Sequence, residues 1–139
     1  MPGTHLRCVA LLAVLWAVPA AGQDFAQGRA AFERGDYSAA LREWRPLAEQ
    51  GSSAAQYELG RMYAYGIGVE RDFKKARAWY EKAARQGDGR AAYEVGVFYE
   101  LGRGVWQDER QAAWWFRQGA LAGHGPSREK LARYEGFLR

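Results

Sequence analysis

The amino-acid sequence predicts an all-α protein, a short α-solenoid of stacked helix pairs with a C-terminal capping helix. Residues 52–87 and 88–123 align without a gap over 36 positions and share thirteen identical residues. Apolar residues recur at helical spacing on either side of a glycine-rich turn in both blocks. Alanine is abundant and isoleucine occurs once, at Ile67, a composition that favours helix over sheet.

The first 22 residues have the anatomy of a secretory signal peptide and are set apart from the repeats. Arg7 supplies a positive charge, residues 9–18 form an apolar run, and small residues follow. The run is shorter than the roughly 20 residues that a spanning helix needs, which argues against a signal anchor. We therefore expect cleavage after Ala20 or Gly22. The mature domain, 23–139, is then expected in the bacterial periplasm or secreted, without stable membrane insertion.

The expected mature domain lacks the side chains that several classes of site require. The one cysteine, Cys8, lies in the leader, so the mature domain has no disulfide and no thiol nucleophile. His124 is its one histidine, which excludes a zinc site or catalytic site built on two histidines. Basic residues form no runs, so nucleic acid is not indicated as a partner. We expect no metal, no cofactor and no enzyme activity.

Each 36-residue block reads as helix, turn, helix. In the block 52–87, Gly66 is placed to end the first helix and Asp72 to cap the second. Gly60 is expected where two helix backbones approach closely, and large side chains such as Tyr80 are expected to fill the space around it. One helix pair cannot bury its own apolar face, so the units must stack.

A diverged unit precedes these two blocks. Residues 24–51 align with the next unit when the C-terminal ends of the two units are matched, which sets Trp44 over Tyr80. Gly28 then takes the place of Gly60. Its central turn is shorter than those of the later units. Terminal units of a repeat stack are expected to be atypical because they cap it.

The tail over 125–138 predicts one more helix with an apolar side. It is expected to cover the exposed end of the third unit as a solvating cap. Three units form a short stack, and its open ends could also support a homodimer.

Residues 55–87 resemble the Sel1-like repeat, a relative of the tetratricopeptide repeat, in the pattern A-x-Y-x-L-G-x-x-Y-x-x-G-x-G-V-x-x-D-x-x-x-A-x-x-W-Y-x-x-A-A-x-x-G. The next unit keeps this pattern with Val95, Phe116 and Gly119 as replacements. The resemblance covers roughly 24–123 and implies an adaptor or scaffold module that binds other proteins. Family members linked to β-lactam binding or hydrolysis have cysteine-stapled repeats, which the expected mature chain lacks.

A stack of this kind is expected to present the first helix of each pair on a concave face, where we predict the partner-binding surface. The row mixes aromatic rings, arginines and one glutamate, which suits a peptide or helix with apolar anchors and a few charges. The alternative is that the tyrosines pack between units and leave a shallow groove. The predicted row consists of Phe25, Arg29, Phe32, Tyr57, Arg61, Tyr65, Tyr93, Val97, Glu100 and Leu101.

The tryptophans divide into two groups. Trp44, Trp79 and Trp115 fall at core positions of the repeat. Trp106 and Trp114 replace Glu70 and Ala78 of the preceding unit, depart from the core pattern, and are possible exposed anchors for a partner. Packing against the C-terminal helix is the alternative for Trp114.

These observations predict a non-enzymatic protein-binding module of the cell envelope. A narrower alternative is a periplasmic inhibitor or immunity protein for a toxin or a cell-wall enzyme. An alternative of another class is a hydrolase of envelope material that uses Glu58 and Glu94. These repeat-equivalent carboxylates are expected one unit apart, about 10 Å by helix-packing distance, whereas glycosidases use carboxylates about 5 to 9.5 Å apart.

Export has a direct test. We expect mass spectrometry of the protein recovered from the cell envelope to show an N-terminus at residue 21 or residue 23, because the small residues before these positions suit signal peptidase. An exported chain that retains Met1 would contradict cleavage.

Overall fold

The computed structural model describes residues 21–137, with side chains described for residues 25–136. Every regular element in this part of the chain is helical, which agrees with the predicted all-α class. The elements are α1 (Ala21–Glu33), α2 (Tyr37–Glu49), α3 (Ser53–Tyr65), α4 (Phe73–Arg85), α5 (Gly89–Leu101), α6 (Glu109–Leu121), α7 (Gly125–Ala132) and a 3₁₀ helix (Glu135–Phe137).

The helices stack in the order of the sequence. Helices α1 and α2, α3 and α4, and α5 and α6 form three pairs, which correspond to the three predicted units. Each pair packs on the next through its second helix and the following first helix, so that α2 contacts α3, α4 contacts α5 and α6 contacts α7. Each unit therefore packs mainly on its neighbours in the sequence, as expected for a solenoid.

A glycine on each first helix faces an aromatic ring on the second helix of the same pair. A Cβ atom added at any of these glycines would lie within 2.6 Å of a ring atom, a separation that real Cβ atoms do not adopt. The prediction that Tyr80 fills the space around Gly60 is therefore confirmed, and Trp44 does the same at the aligned Gly28. The three pairs are Gly28 with Trp44, Gly60 with Tyr80, and Gly96 with Phe116.

The apolar core is divided into three clusters, and each cluster joins one unit to the next. The first cluster contains Trp44 from α2 together with Leu59 and Met62 from α3. The second adds Val95 of α5 to residues of α3 and α4, and the third adds Tyr134 of the tail. No pair of the described stack completes its core alone, which is why the units depend on stacking.

The turn between the two helices of a unit rests on the unit before it. Gly66 ends α3 in the left-handed conformation at φ 65°, and Gly68 follows at φ 70°. A Cβ on Gly68 would lie 2.5 Å from the Cβ of Tyr37, the first residue of α2. Asp72 then caps α4, with its carboxylate oxygen accepting from the Lys75 N–H at 3.0 Å.

The tail differs from its predicted form. The α-helix expected over 125–138 ends at Ala132, and a 3₁₀ helix follows. The N–H groups of Arg133 and Tyr134 donate to carbonyls three residues earlier, at 3.0 and 2.8 Å, which tightens the last turn. Tyr134 is thereby placed at 8% exposure in the third core cluster, where its ring lies 5.7 Å from that of Phe116.

Helix α7 occupies the position of the first helix of a fourth unit. Ser127 follows Ala91 by 36 residues, and both are fully buried. Gly119 makes room for the larger serine, because a Cβ there would lie 2.8 Å from the Cβ of Ser127. The predicted capping function is carried by this half-unit.

Most of the expected leader lies before the part of the chain that the structure describes. Helix α1 begins at Ala21, so it includes residues 21 and 22, while residues 1–20 of the expected leader lie outside the described part of the chain.

Trp44 and Trp115 are buried at 2% and 5% exposure, as predicted. Trp79 is only partly buried and packs against the first core cluster from its edge, with the Lys82 ammonium 4.5 Å from the centre of its ring.

The glycine–aromatic contact gives a stability prediction. We expect Gly60→Ala to unfold at lower urea than Gly125→Ala, with a difference of about 1–3 kcal/mol in the free energy of unfolding, because the new methyl group collides with the buried Tyr80 ring. Gly125 also lies in a helix, but an added Cβ there meets open space. Equal stabilities for the two variants would contradict this account of the core.

Candidate binding face on the first helices

Helices α1 and α3 together line a depression of about 340 Å³. Three residues of the predicted row lie in it, namely Arg29, Phe32 and Arg61. The Arg61 guanidinium lies 5.7 Å from the centre of the Phe32 ring and donates to the Glu58 carboxylate at 2.8 Å. Glu58 and Arg61 reach each other because residues three apart share one side of a helix. We call the exposed side of α1, α3 and α5 the first-helix face.

The middle of this face contains a carboxylate without a partner. Glu94 of α5 is half-buried and makes no hydrogen bond or ion pair with any described residue. Burial raises the pKa of the Glu94 carboxyl above its ordinary value, and the charges of Arg103 and Arg61 reduce this effect. A cationic group from outside the described chain would stabilise the charged form.

A second polar group lacks a partner beside Glu94. The Tyr80 hydroxyl is buried and has no hydrogen-bond partner among the described residues. Burial and then the nearby Glu94 charge raise the pKa of Tyr80 well above its ordinary value. Tyr57, whose ring lies 5.6 Å from that of Tyr80, is covered by the Arg90 guanidinium at 4.1 Å. Aromatic rings and unsatisfied polar groups therefore occur side by side on this face.

Three residues of the predicted row in the third unit are engaged within the molecule. Tyr93 and Val97 pack against the cluster that contains Tyr134. Glu100 accepts hydrogen bonds from Lys130 and from the Tyr134 hydroxyl, the latter at 2.7 Å. These three residues therefore have contacts within the molecule, and the row as a binding surface stays a prediction. Partial burial acts to raise the Glu100 pKa, but the two hydrogen bonds outweigh it and lower the pKa.

The remaining predicted residues are accessible to different degrees. Tyr65 and Leu101 end α3 and α5 at equivalent positions and are 63% and 54% exposed. Trp106, in the turn after α5, is 92% exposed. Phe25 is half-buried, with its ring stacked 5.7 Å from that of Trp44. The exposed aromatic and aliphatic groups thus concentrate where the first helices end.

Trp114 lies outside the first-helix face. It is 45% exposed on α6, and its ring meets the Trp115 ring edge to face at 4.7 Å. The side chain lines a groove formed with α4. The structure therefore separates Trp114 from the predicted row, although both were candidates for partner binding.

The two carboxylates considered for hydrolysis have different environments. Glu58 is held by Arg61, whereas Glu94 has no partner among the described residues. Within residues 25–136 no group of three or more His, Cys, Asp or Glu side chains is arranged to hold a metal ion. Likewise, none of the described helices is long and apolar enough to cross a bilayer.

The sequence analysis considered Glu94 only as a hydrolytic carboxylate and Tyr80 only as a core residue, so it did not predict that either lacks a partner among the described residues. The sequence does contain one indication of the unpartnered hydroxyl, in the three core aromatic residues that align between the units. The Trp44 indole N–H donates to the Phe25 carbonyl at 3.2 Å, and Phe116 has no polar atom in its ring. Tyr80 alone of the three brings a hydroxyl whose partner the repeat does not supply.

A comparison with protein-family models identifies the repeats. The model for the Sel1 repeat matches residues 53–88 and 89–124, together just over half of the chain. The chain belongs to the Sel1 repeat family. Sel1 repeat proteins generally mediate protein–protein interaction, and the fold is typically non-catalytic. The matched segments are the predicted second and third units, displaced by one residue.

Solved structures agree with this assignment. A Sel1 repeat protein from Oxalobacter formigenes is 30% identical, with a TM-score of 0.76 over 82% of this chain and 48% of that one. The protective antigen c5321 of uropathogenic Escherichia coli is 30% identical, with a TM-score of 0.78 over 87% of this chain. This chain thus spans about half of the first protein and 27% of the second.

A third neighbour shows the fold alone. Helicobacter pylori cysteine rich protein B is 21% identical, with a TM-score of 0.65 over 80% of this chain and 94% of that one. No curated protein sequence matches the chain significantly. The comparisons therefore establish the family and its general class of activity.

The Glu94 environment gives a pH-dependent prediction. We expect Glu94→Gln to raise the free energy of unfolding at neutral pH, because it removes a buried charge that lacks a partner. A raised pKa means that the folded chain holds this proton more tightly than the unfolded chain does. Below the ordinary pKa of 4.5 the Glu94 carboxyl is protonated in both the folded and the unfolded chain, so it does not destabilise the wild type. The wild type then loses stability as the pH rises through the raised pKa.

The stability difference between Glu94→Gln and wild type should thus vanish below pH 4.5 and grow above it. Urea unfolding across this pH range measures it. Glu58→Gln is the matched control at the equivalent position, and it should gain nothing at neutral pH because it loses the ion pair with Arg61. A gain of the same size in both variants would show that the effect is not specific to Glu94.

Proposed function

We propose that this chain is an exported, non-enzymatic module of the bacterial cell envelope that binds another protein through its first-helix face. The observation that carries the proposal is the Glu94 carboxylate, which is half-buried on this face and has no hydrogen bond or ion pair with any described residue. A charge that is partly removed from water without a partner destabilises the fold. A partner protein that supplies a cation would offset this cost.

The surroundings define what such a partner must offer. The depression at Arg29, Phe32 and Arg61 accepts an acidic or apolar side chain, and Glu94 accepts a basic one. Tyr65 adds an exposed aromatic ring at the end of α3. A segment with mixed charge and an apolar anchor therefore fits the face. The face is built on helices, so little ordering cost opposes binding.

The location and the kind of partner belong to the same proposal. The leader over 1–22 supports export to the periplasm or secretion. An inhibitor or immunity role for a toxin or cell-wall enzyme is a narrower form of protein binding and uses the same face. Hydrolysis by Glu58 and Glu94 has weaker support, because Glu58 is engaged by Arg61 and is not a free acid or base.

Site-specific photocrosslinking tests the proposal. A benzophenone amino acid in place of Tyr65 should yield crosslinked protein partners in the intact cell envelope, because this position borders the face and is exposed. The same group in place of the exposed Glu49 on α2 is the matched control and should yield none of these products.

Two substitutions sharpen this experiment. Arg61→Glu should reduce the Tyr65 crosslink by at least about tenfold, because it reverses a charge at the centre of the face. Lys82→Glu reverses a charge on the exposed side of α4 and should leave the crosslink unchanged. Identical crosslinks with and without Arg61→Glu would remove the first-helix face from the proposal.

A further inference from the structure

A separate groove lies between the second helices α4 and α6 and has a volume of about 570 Å³. This volume falls within the range of about 300–1,000 Å³ that is usual for ligand sites. Helix α4 contributes Arg77, Glu81 and Arg85, and helix α6 contributes Arg110, Trp114 and Trp115. Gln111 of α6 and Tyr99 of α5 also line the groove, but no lining residue belongs to the predicted first-helix row, so a binding site here is independent of the proposed function.

The groove has an excess of positive charge that its own residues do not neutralise. Its one carboxylate, Glu81, accepts a hydrogen bond from Arg77 at 2.7 Å and is thereby used. Arg85 and Arg110 form no ion pair with any described residue. The Nε donor of Arg77 is buried and has no acceptor within the described chain. Guanidinium groups in this condition favour a carboxylate-bearing ligand.

One wall of the groove is apolar and accessible. Trp114 is 45% exposed, and its ring is held in place by the edge-to-face contact with Trp115 at 4.7 Å. Fixed, partly exposed tryptophans beside arginines are the residue types that dominate protein-binding energies. The wall therefore adds a position for an apolar side chain next to the charged positions.

The repeat itself shows that the fold does not require these residues. The corresponding positions one unit earlier, 36 residues back, form the neighbourhood of α2 and α4. Leu41 stands there for Arg77, Glu49 for Arg85 and Ala78 for Trp114. The same backbone arrangement thus tolerates an apolar residue, the opposite charge and a methyl group. Of the two neighbourhoods, α2–α4 and α4–α6, the second has the combination of arginines and an exposed tryptophan.

We propose that the α4–α6 groove binds an acidic segment of a partner protein, with carboxylates on Arg85 and Arg110 and an apolar side chain on Trp114. The excess of guanidinium groups selects acidic residues, and the tryptophan wall selects a segment that also contains an apolar residue. A protein segment, and not an inorganic anion, meets both requirements. The chain then has two binding surfaces, one on the first helices and one on the second.

Fluorescence anisotropy with a labelled peptide tests this site on the full mature protein. The probe is a fluorescein-labelled peptide of alternating glutamate and leucine, and its control replaces every glutamate with glutamine. Wild type should bind the acidic peptide at least about tenfold more tightly than the glutamine peptide. The affinity should fall as salt is raised, because the contacts are ionic. Equal affinity for both peptides, or no binding, would overturn the proposal.

Matched variants assign the binding to the groove. The double variant Arg85→Gln and Arg110→Gln should weaken binding at least about tenfold, and Trp114→Ala should weaken it severalfold, because it restores the residue of the preceding unit. All three positions are exposed, and circular dichroism checks that each variant remains folded. Lys74→Gln, at the position equivalent to Arg110, and Arg61→Glu on the other face should bind as wild type does.

Two further outcomes would contradict the assignment. If Lys74→Gln weakens binding as much as the double variant does, the peptide responds to general surface charge and not to the groove. If inorganic tripolyphosphate displaces the peptide and binds Trp114→Ala as well as wild type, the site recognises anions without the apolar wall. Either result would falsify recognition of a protein segment at this place.

Discussion

The contact between a first-helix glycine and a second-helix aromatic ring underlies the rest of this structure. It repeats in all three units, at Gly28, Gly60 and Gly96, and leaves no space for a single added carbon. Because the ring enters the space that a side chain would otherwise take, the two helices of a pair lie close together. Their remaining apolar residues must then face the next pair, so stacking follows from this local contact. The three core clusters, each shared between units, are its consequence.

The identity of that aromatic ring decides whether a polar group is buried with or without a hydrogen-bond partner. Trp44 finds a carbonyl acceptor and Phe116 needs none, but Tyr80 carries a hydroxyl into a place where the repeat offers no partner. The neighbouring Glu94 carboxylate has the same deficiency. The end of the stack shows how such a deficiency is met, since Glu100 is satisfied by Lys130 and Tyr134 from the C-terminal segment. That segment thereby engages Glu100 near the end of α5, while Glu94 on the same helix keeps no partner among the described residues.

The two sides of the stack differ in the charged groups that they expose. Among the described residues, Glu94 on the first-helix face has no cationic partner, while Arg85 and Arg110 in the α4–α6 groove have no anionic partner. Each side also has an exposed ring, Tyr65 on one and Trp114 on the other. Such a division allows one small chain to contact two different segments at once, which is the property expected of an adaptor.

The sequence by itself determined the helix class, the 36-residue units, the capping aspartates and the close glycine contacts, because each depends on local spacing that repeats. It also indicated Trp106 and Trp114 as exposed, since both break the core pattern. Only the tertiary structure decided which first-helix residues remain open, because Glu100 is engaged by Lys130 and by Tyr134, which follows α7 in a turn that the predicted α-helix over 125–138 did not include. It likewise decided that Glu94 and Tyr80 lack partners and that α4 and α6 form a cationic groove. Those features arise from side chains of different units meeting in space, which the period of a sequence cannot specify.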